Sequence, residues 1–79
     1  MKYLISTTTH NAATGAMIDN WEGDYMEANS WEEAISVAAK WEAELLRSDG
    51  ARRIEIVNDT VFYEENGEEF YKEIHADEA

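Results

Sequence analysis

The fold is decided by residues 30–50, SWEEAISVAAKWEAELLRSDG, which carry the clearest helix signal in the chain. Ser30 and Glu33 have the spacing of a capping box, and acidic residues in the first turn face the positive end of the helix dipole. Arg47 complements the negative end, and Gly50 can adopt the left-handed conformation that commonly closes a helix. The sequence therefore predicts one helix over residues 31–47.

One side of this helix is apolar. Apolar residues that recur at intervals of three or four positions form a single stripe along the helix: Trp31, Ala34, Ile35, Ala38, Trp41 and Leu45. Trp41 is the expected anchor of the helix in the core. A stripe of this kind most often faces a core, so we expect the helix to cover one face of a sheet.

After the helix the hydrophobic period changes to two, which indicates strands. Turn signals at Asn58-Asp59 and Asn66-Gly67 divide this region into strands at 52–57, 60–65 and 68–74. If both turns have two residues, three cross-strand pairs lie on the side of the sheet that faces the helix. These pairs are Ile54 with Tyr63, Ile56 with Val61, and Tyr63 with Phe70. Lys72 falls on that same side and fits it poorly.

The first third of the chain is less regular. Residues 2–8 and 23–28 suit strands, with Met26 and Ala28 towards the core, while residues 10–20 suggest a loop or loose hairpin. The expected fold is a single α+β domain over residues 1–79, with one helix on an antiparallel sheet of about five strands in the order β-β-α-β-β-β. Residues 76–79 are expected to be a frayed acidic tail.

The sheet face opposite the helix is the candidate binding surface. The predicted register puts Glu55, Phe62 and Tyr71 in one row, Arg53, Glu64 and Glu69 in a second, and Val57, Thr60 and Glu73 in a third. Large aromatics among carboxylates suit a protein partner. The candidate partner-binding residues are Glu55, Phe62, Glu64, Glu69, Tyr71 and Glu73. The alternative is a solvated face, or one covered by residues 10–20.

Charge narrows the kind of partner. Eighteen acidic residues against six Lys and Arg leave a net charge of −12, yet nine aromatic residues indicate an ordered core. Such a surface can occupy a Lys/Arg channel built for nucleic acid, while like-charge repulsion argues against direct binding of DNA or RNA. An ordinary solvated acidic surface is the alternative.

Catalytic and metal signals are weak. The chain has no cysteine, and no glycine-rich phosphate loop accompanies its two histidines, with His10 expected in a polar loop and His75 at a strand end. Acidic residues around Gly23 lack the register of a calcium loop. We therefore expect no enzymatic activity, cofactor or dedicated metal site. The apolar run Tyr3-Leu4-Ile5 is too short for a membrane span or signal peptide, which favours a cytoplasmic protein.

A resemblance to a known class adds to this reading. The segment Glu27-Ala28-Asn29-Ser30-Trp31-Glu32-Glu33-Ala34 and the later Ile54-Glu55-Ile56-Val57-Asn58-Asp59 lie within residues 24–65. In the order strand-helix-strand-strand and in general character, this region resembles small phage-encoded proteins, among them anti-CRISPR inhibitors. The resemblance implies a stoichiometric inhibitor that binds a CRISPR effector complex in the bacterial host, often at the basic surface that receives target DNA.

Two other functions fit the same sequence. A phage accessory or assembly protein would use the aromatic face to self-associate, and an antitoxin-like partner would cap a basic toxin. The chain is accordingly expected to be a monomer or a homodimer.

Overall fold

The computed structural model describes all 79 residues and contains one helix and one five-stranded antiparallel sheet. The elements are β1 (Lys2–Asn11), β2 (Met17–Glu27), α1 (Trp31–Ser48), β3 (Arg52–Val57), β4 (Thr60–Glu65) and β5 (Glu68–Glu78). The strands lie in the order β2-β1-β5-β4-β3, so β5 is central and β2 and β3 are the edges. The predicted α+β fold and its element order are confirmed.

The helix begins where the capping signal predicts. Ser30 has extended backbone angles, and its Oγ accepts a hydrogen bond from the Glu33 amide at 3.1 Å. The Glu33 carboxylate accepts from the Asn29 side chain at 3.3 Å. At the other end Gly50 takes the left-handed conformation, with φ 90°. A side-chain cap at Ser30 and the left-handed backbone of Gly50 thus set the two helix ends.

The buried side of α1 differs from the predicted stripe. Its buried residues are Ala34, Ile35, Ala38, Ala39, Glu42, Ala43 and Leu46. Trp41 is 58% exposed, and Leu45 is exposed as well, so the prediction that Trp41 anchors the helix is wrong. The alanine-rich side faces the sheet, because small side chains allow the helix backbone to approach it closely, and the large residues lie at the margin.

The two C-terminal hairpins largely follow the predicted register. Ile56 lies opposite Val61, and Tyr63 lies opposite Phe70 with ring centroids 5.5 Å apart. A bulge between Arg52 and Glu55 interrupts the β3–β4 ladder, and Arg53 there has φ 54°. The regular pairings expected of Ile54 and Arg53 are therefore absent, and Arg52 lies opposite Glu64.

The misfit of Lys72 is resolved by a charged partner. Lys72 lies opposite Val61 on the helix-facing side, and its Nζ is 3.2 Å from Glu42 Oε2 on α1. The side chains of Lys72 and Glu42 are only 21% and 10% exposed. The ion pair thus joins the helix to the central strand within an otherwise apolar layer.

The N-terminal hairpin is longer than predicted. β2 begins at Met17, so residues 17–20 form a strand instead of a loop, with Thr7 opposite Trp21 and Thr8 opposite Asn20. The Asn11 side chain closes the turn by accepting from the amides of Ala13 and Thr14 at 2.9 and 3.2 Å. Pairing of β1 with β5 along its whole length supports this extension.

The C-terminus is also paired. β5 continues to Glu78, which lies opposite Tyr3, and Ala76 is buried. The Ala79 amide donates to the Lys2 carbonyl at 2.9 Å. The frayed tail expected at residues 76–79 is therefore replaced by strand, because β1 supplies a partner that the local sequence does not reveal.

Candidate functional site

The sheet face turned away from α1 carries all of the candidate partner-binding residues. Its central row crosses four strands, with His10 on β1, Tyr71 on β5, Phe62 on β4 and Glu55 on β3. We call this surface the open face and define it by His10, Glu55, Phe62, Glu64, Glu69, Tyr71 and Glu73. The row predicted from the sequence is therefore present, and His10 extends it.

Rings form a continuous ridge along this row. The imidazole of His10 stacks on Tyr71, with centroids 4.8 Å apart and planes within 7°. Tyr71 in turn contacts Phe62, with centroids 5.9 Å apart and a tilt of 43°. Phe62 is exposed although it is large and apolar. An exposed ring held against its neighbours offers contact area at little conformational cost.

His10 was missed by the sequence analysis, which placed it in a loop. Its Nε2 is 3.0 Å from Glu73 Oε1 and 3.3 Å from Thr8 Oγ1, while its Nδ1 is 3.2 Å from the Gly15 carbonyl oxygen. A carbonyl and a carboxylate only accept, so the imidazolium form can donate to both at once. His10 thus connects the β1–β2 turn to β5.

The carboxylates of the open face fall into two groups. Glu73 pairs with His10, and Glu64 lies 3.7 Å from the Arg53 guanidinium. Glu55 and Glu69 are exposed and form no ion pair within the chain. A shallow depression of about 300 Å³ is lined in part by Glu55, Phe62, Glu64 and Glu69. The unpaired carboxylates of Glu55 and Glu69 therefore lie beside the exposed ring of Phe62.

The depression continues into the acidic β4–β5 hairpin. Glu64 lies directly opposite Glu69, and Glu65 lies opposite Glu68. Like charges in direct cross-strand register repel each other and weaken the sheet locally. A cationic partner bound at this hairpin would reduce the repulsion between these carboxylates.

Other site signals can be placed in the structure. Residues 19–24, which superficially resemble a calcium loop, lie in the extended strand β2. No group of three His, Cys, Asp or Glu side chains is arranged to hold a metal ion. The one helix lacks the long apolar stretch that would be needed to cross a membrane.

Together these features define a small α+β domain with an acidic and aromatic open sheet face. No protein-family model, curated protein or solved structure matches the chain. Its function must therefore be inferred from its own geometry and charge.

Proposed function

We propose that this protein is a non-enzymatic acidic inhibitor whose open face binds a basic, nucleic-acid-binding surface of another protein and excludes nucleic acid from it. The favoured instance is a phage anti-CRISPR protein that blocks target-DNA binding by a CRISPR effector complex. One observation carries the proposal. The His10–Tyr71–Phe62 ridge lies among carboxylates on a sheet face that no other element covers.

The charge balance supports a basic partner. Of the six Lys and Arg residues, Lys72 pairs with Glu42, Arg47 with Glu44, and Arg53 with Glu64. Few bases remain to offset eighteen acids, so the protein has a strongly negative field. Such a field speeds association with a basic surface and repels DNA and RNA.

The spacing of the charges suits competition with nucleic acid. Glu69, Tyr71 and Glu73 alternate along β5 and therefore lie on one face. Alternate residues of a strand are roughly 6.6 to 7 Å apart, which is similar to the spacing of phosphates along a nucleic-acid strand. The carboxylates would meet Lys and Arg side chains, and the rings of Phe62 and Tyr71, once covered by the partner, would supply most of the affinity.

The choice of a CRISPR effector as partner rests on the resemblance of residues 24–65 to phage-encoded anti-CRISPR inhibitors. Those proteins act by stoichiometric binding, which agrees with a face built for contact. The geometry and charge of the open face support the wider class, a protein that competes with nucleic acid. The resemblance favours the particular partner.

A competition assay tests the proposal. Fluorescence anisotropy would follow labelled target DNA bound to guide-loaded CRISPR effector complexes while the acidic protein is added. We expect wild type to displace the DNA and Glu64→Lys/Glu69→Lys to do so at least about tenfold more weakly, a loss of about 1.4 kcal/mol. The matched control is Glu44→Lys/Asp49→Lys, which makes the same change in net charge at the end of α1.

Salt provides a second readout, because the attraction is screened over about 10 Å at 0.1 M and about 3 Å at 1 M ionic strength. Inhibition should therefore weaken as salt rises. A folded Glu64→Lys/Glu69→Lys variant with wild-type inhibition would show that another surface binds. Equal loss in the control variant would show that net charge acts without the open face, and failure to displace DNA from any effector would refute the CRISPR instance.

A further inference from the structure

The sheet has two free edges, and their charges differ. β2 carries Asp19, Glu22, Asp24 and Glu27 and no base. β3 carries Arg52 and Arg53 against Glu55. Unpaired edges can accept another strand, and a row of like charges is one way in which proteins prevent this. A second copy of the chain would be repelled at β2 but not at β3.

The β3 edge also exposes apolar side chains. Ile56 is 42% exposed and Val57 is 45% exposed, whereas Val61, which lies opposite Ile56 on β4, is fully buried. Ile56 belongs to the helix-facing side and Val57 to the open face. Both are exposed because no strand follows β3, so an added strand would cover both.

A cleft lies beside this edge. It has a volume of about 520 Å³ between α1 and β3, and Trp31, Ile35 and Ile56 form its apolar lining. The Trp31 indole N–H donates to the Ala76 carbonyl at 3.1 Å, which fixes the ring as one wall. The cleft thus lies between the flank of α1 and the exposed side chain of Ile56 on β3.

We propose that β3 pairs antiparallel with β3 of a second copy, so that the two sheets join into one. The regular part of the strand, from Glu55 to Val57, is centred on Ile56, which places this residue near the two-fold axis and beside the partner's cleft. Both open faces lie on the same side of the joined sheet, and neither is covered.

Charge complementarity favours a second copy of the chain as the partner at this edge. Antiparallel pairing brings the Arg52-Arg53 end of each strand to the Asn58-Asp59 end of the other. Within one chain Arg53 lies near the start of β3 and Asp59 lies in the turn beyond its other end, and Arg53 is 3.7 Å from Glu64. Any interaction between the side chains of Arg53 and Asp59 therefore has to be made between copies.

Sedimentation equilibrium from about 5 to about 500 μM tests the pairing. We expect the mass of wild type to rise from one copy towards two, and Ile56→Lys to raise the dissociation constant at least about tenfold. Trp41→Lys adds the same charge at a similarly exposed apolar residue of α1 and should leave the constant unchanged. Arg53→Asp should weaken the dimer, and Arg53→Asp/Asp59→Arg should restore it.

A mass of one copy at every concentration would overturn the proposal. So would loss of association in Trp41→Lys but not in Ile56→Lys, or failure of the charge swap to restore the dimer in folded variants. Hydrogen exchange of wild type keeps the test independent of variant folding. Amide protection in β3 should increase with protein concentration, and an increase confined to β2 would contradict the assignment.

Discussion

Replacing Glu42 or Lys72 alone should destabilise the protein, whereas replacing both with apolar residues should not. Lys72 Nζ is 3.2 Å from Glu42 Oε2, and both groups are mostly removed from water between α1 and the sheet. Removing one partner leaves a charge in a layer of low polarity. Removing both leaves apolar surfaces that can pack against each other.

The exposed fractions set the magnitude. Breaking a fully buried ion pair costs about 3 to 5 kcal/mol. The Lys72 side chain is 21% exposed and can extend its ammonium group towards water, so Glu42→Leu should cost about 2 to 3 kcal/mol. Glu42 is 10% exposed, and Lys72→Met should cost about 3 to 4 kcal/mol. The double variant should lie within about 1 kcal/mol of wild type.

Urea unfolding followed by far-UV circular dichroism at pH 7 would give the four free energies of this double-mutant cycle. We expect a coupling energy of at least about 4 kcal/mol, the sum of the two single losses minus the loss in the double variant. The control cycle uses Glu44→Leu and Arg47→Met, an exposed pair at 2.8 Å that should couple by less than about 0.5 kcal/mol. Additive losses at Glu42 and Lys72 would refute the reasoning.

Two further predictions concern residues on the helix-facing side and β2. Burial, and to a smaller extent the charge of Glu65, raises the pKa of Tyr63 to about 12 in the folded protein. In the unfolded chain the Tyr63 hydroxyl has its ordinary pKa of about 10 and loses its proton at lower pH. The free energy of unfolding should therefore fall as pH rises from about 10 to about 12. Between pH 9 and pH 12 the free energy of unfolding should decline less in Tyr63→Phe than in wild type. An equal decline in the two proteins would exclude Tyr63 as the cause. At Gly23 an added methyl group would clash with the Trp21 indole, so Gly23→Ala should cost about 1 kcal/mol in urea unfolding. The cost should fall in a Trp21→Ala background, where only the Ile5 carbonyl oxygen, 3.0 Å from the added group, stays close, and an unchanged cost would place the strain elsewhere.

Features set by near neighbours could be predicted from the sequence. Ser30 and Gly50 mark the helix ends through hydrogen bonds and backbone angles that involve only adjacent turns. Asn66 and Gly67 both have positive φ, as the tight turn between β4 and β5 requires. Alternation along these strands then placed Glu55, Phe62 and Tyr71 in one row of the open face.

Features set by distant partners could not be predicted. His10 joins the open face because β1 pairs with β5, more than fifty residues along the chain. The length of β2 has a similar cause. Residues 17–20 have weak strand signals of their own, but they form a strand because they pair with residues 8–10 of β1. The Arg53 bulge likewise has no clear local signal, and it moves Arg52 to the position opposite Glu64.

By itself the sequence determined the element order, the caps and tight turns, and the excess of acidic charge, because each depends on composition or on residues close along the chain. Only the tertiary structure decided which side of α1 is buried. Spacing permits either the stripe containing Trp41 or the alanine-rich side with Glu42 at its centre. Close approach of the alanines to the sheet, together with the Glu42–Lys72 pair, selects the second.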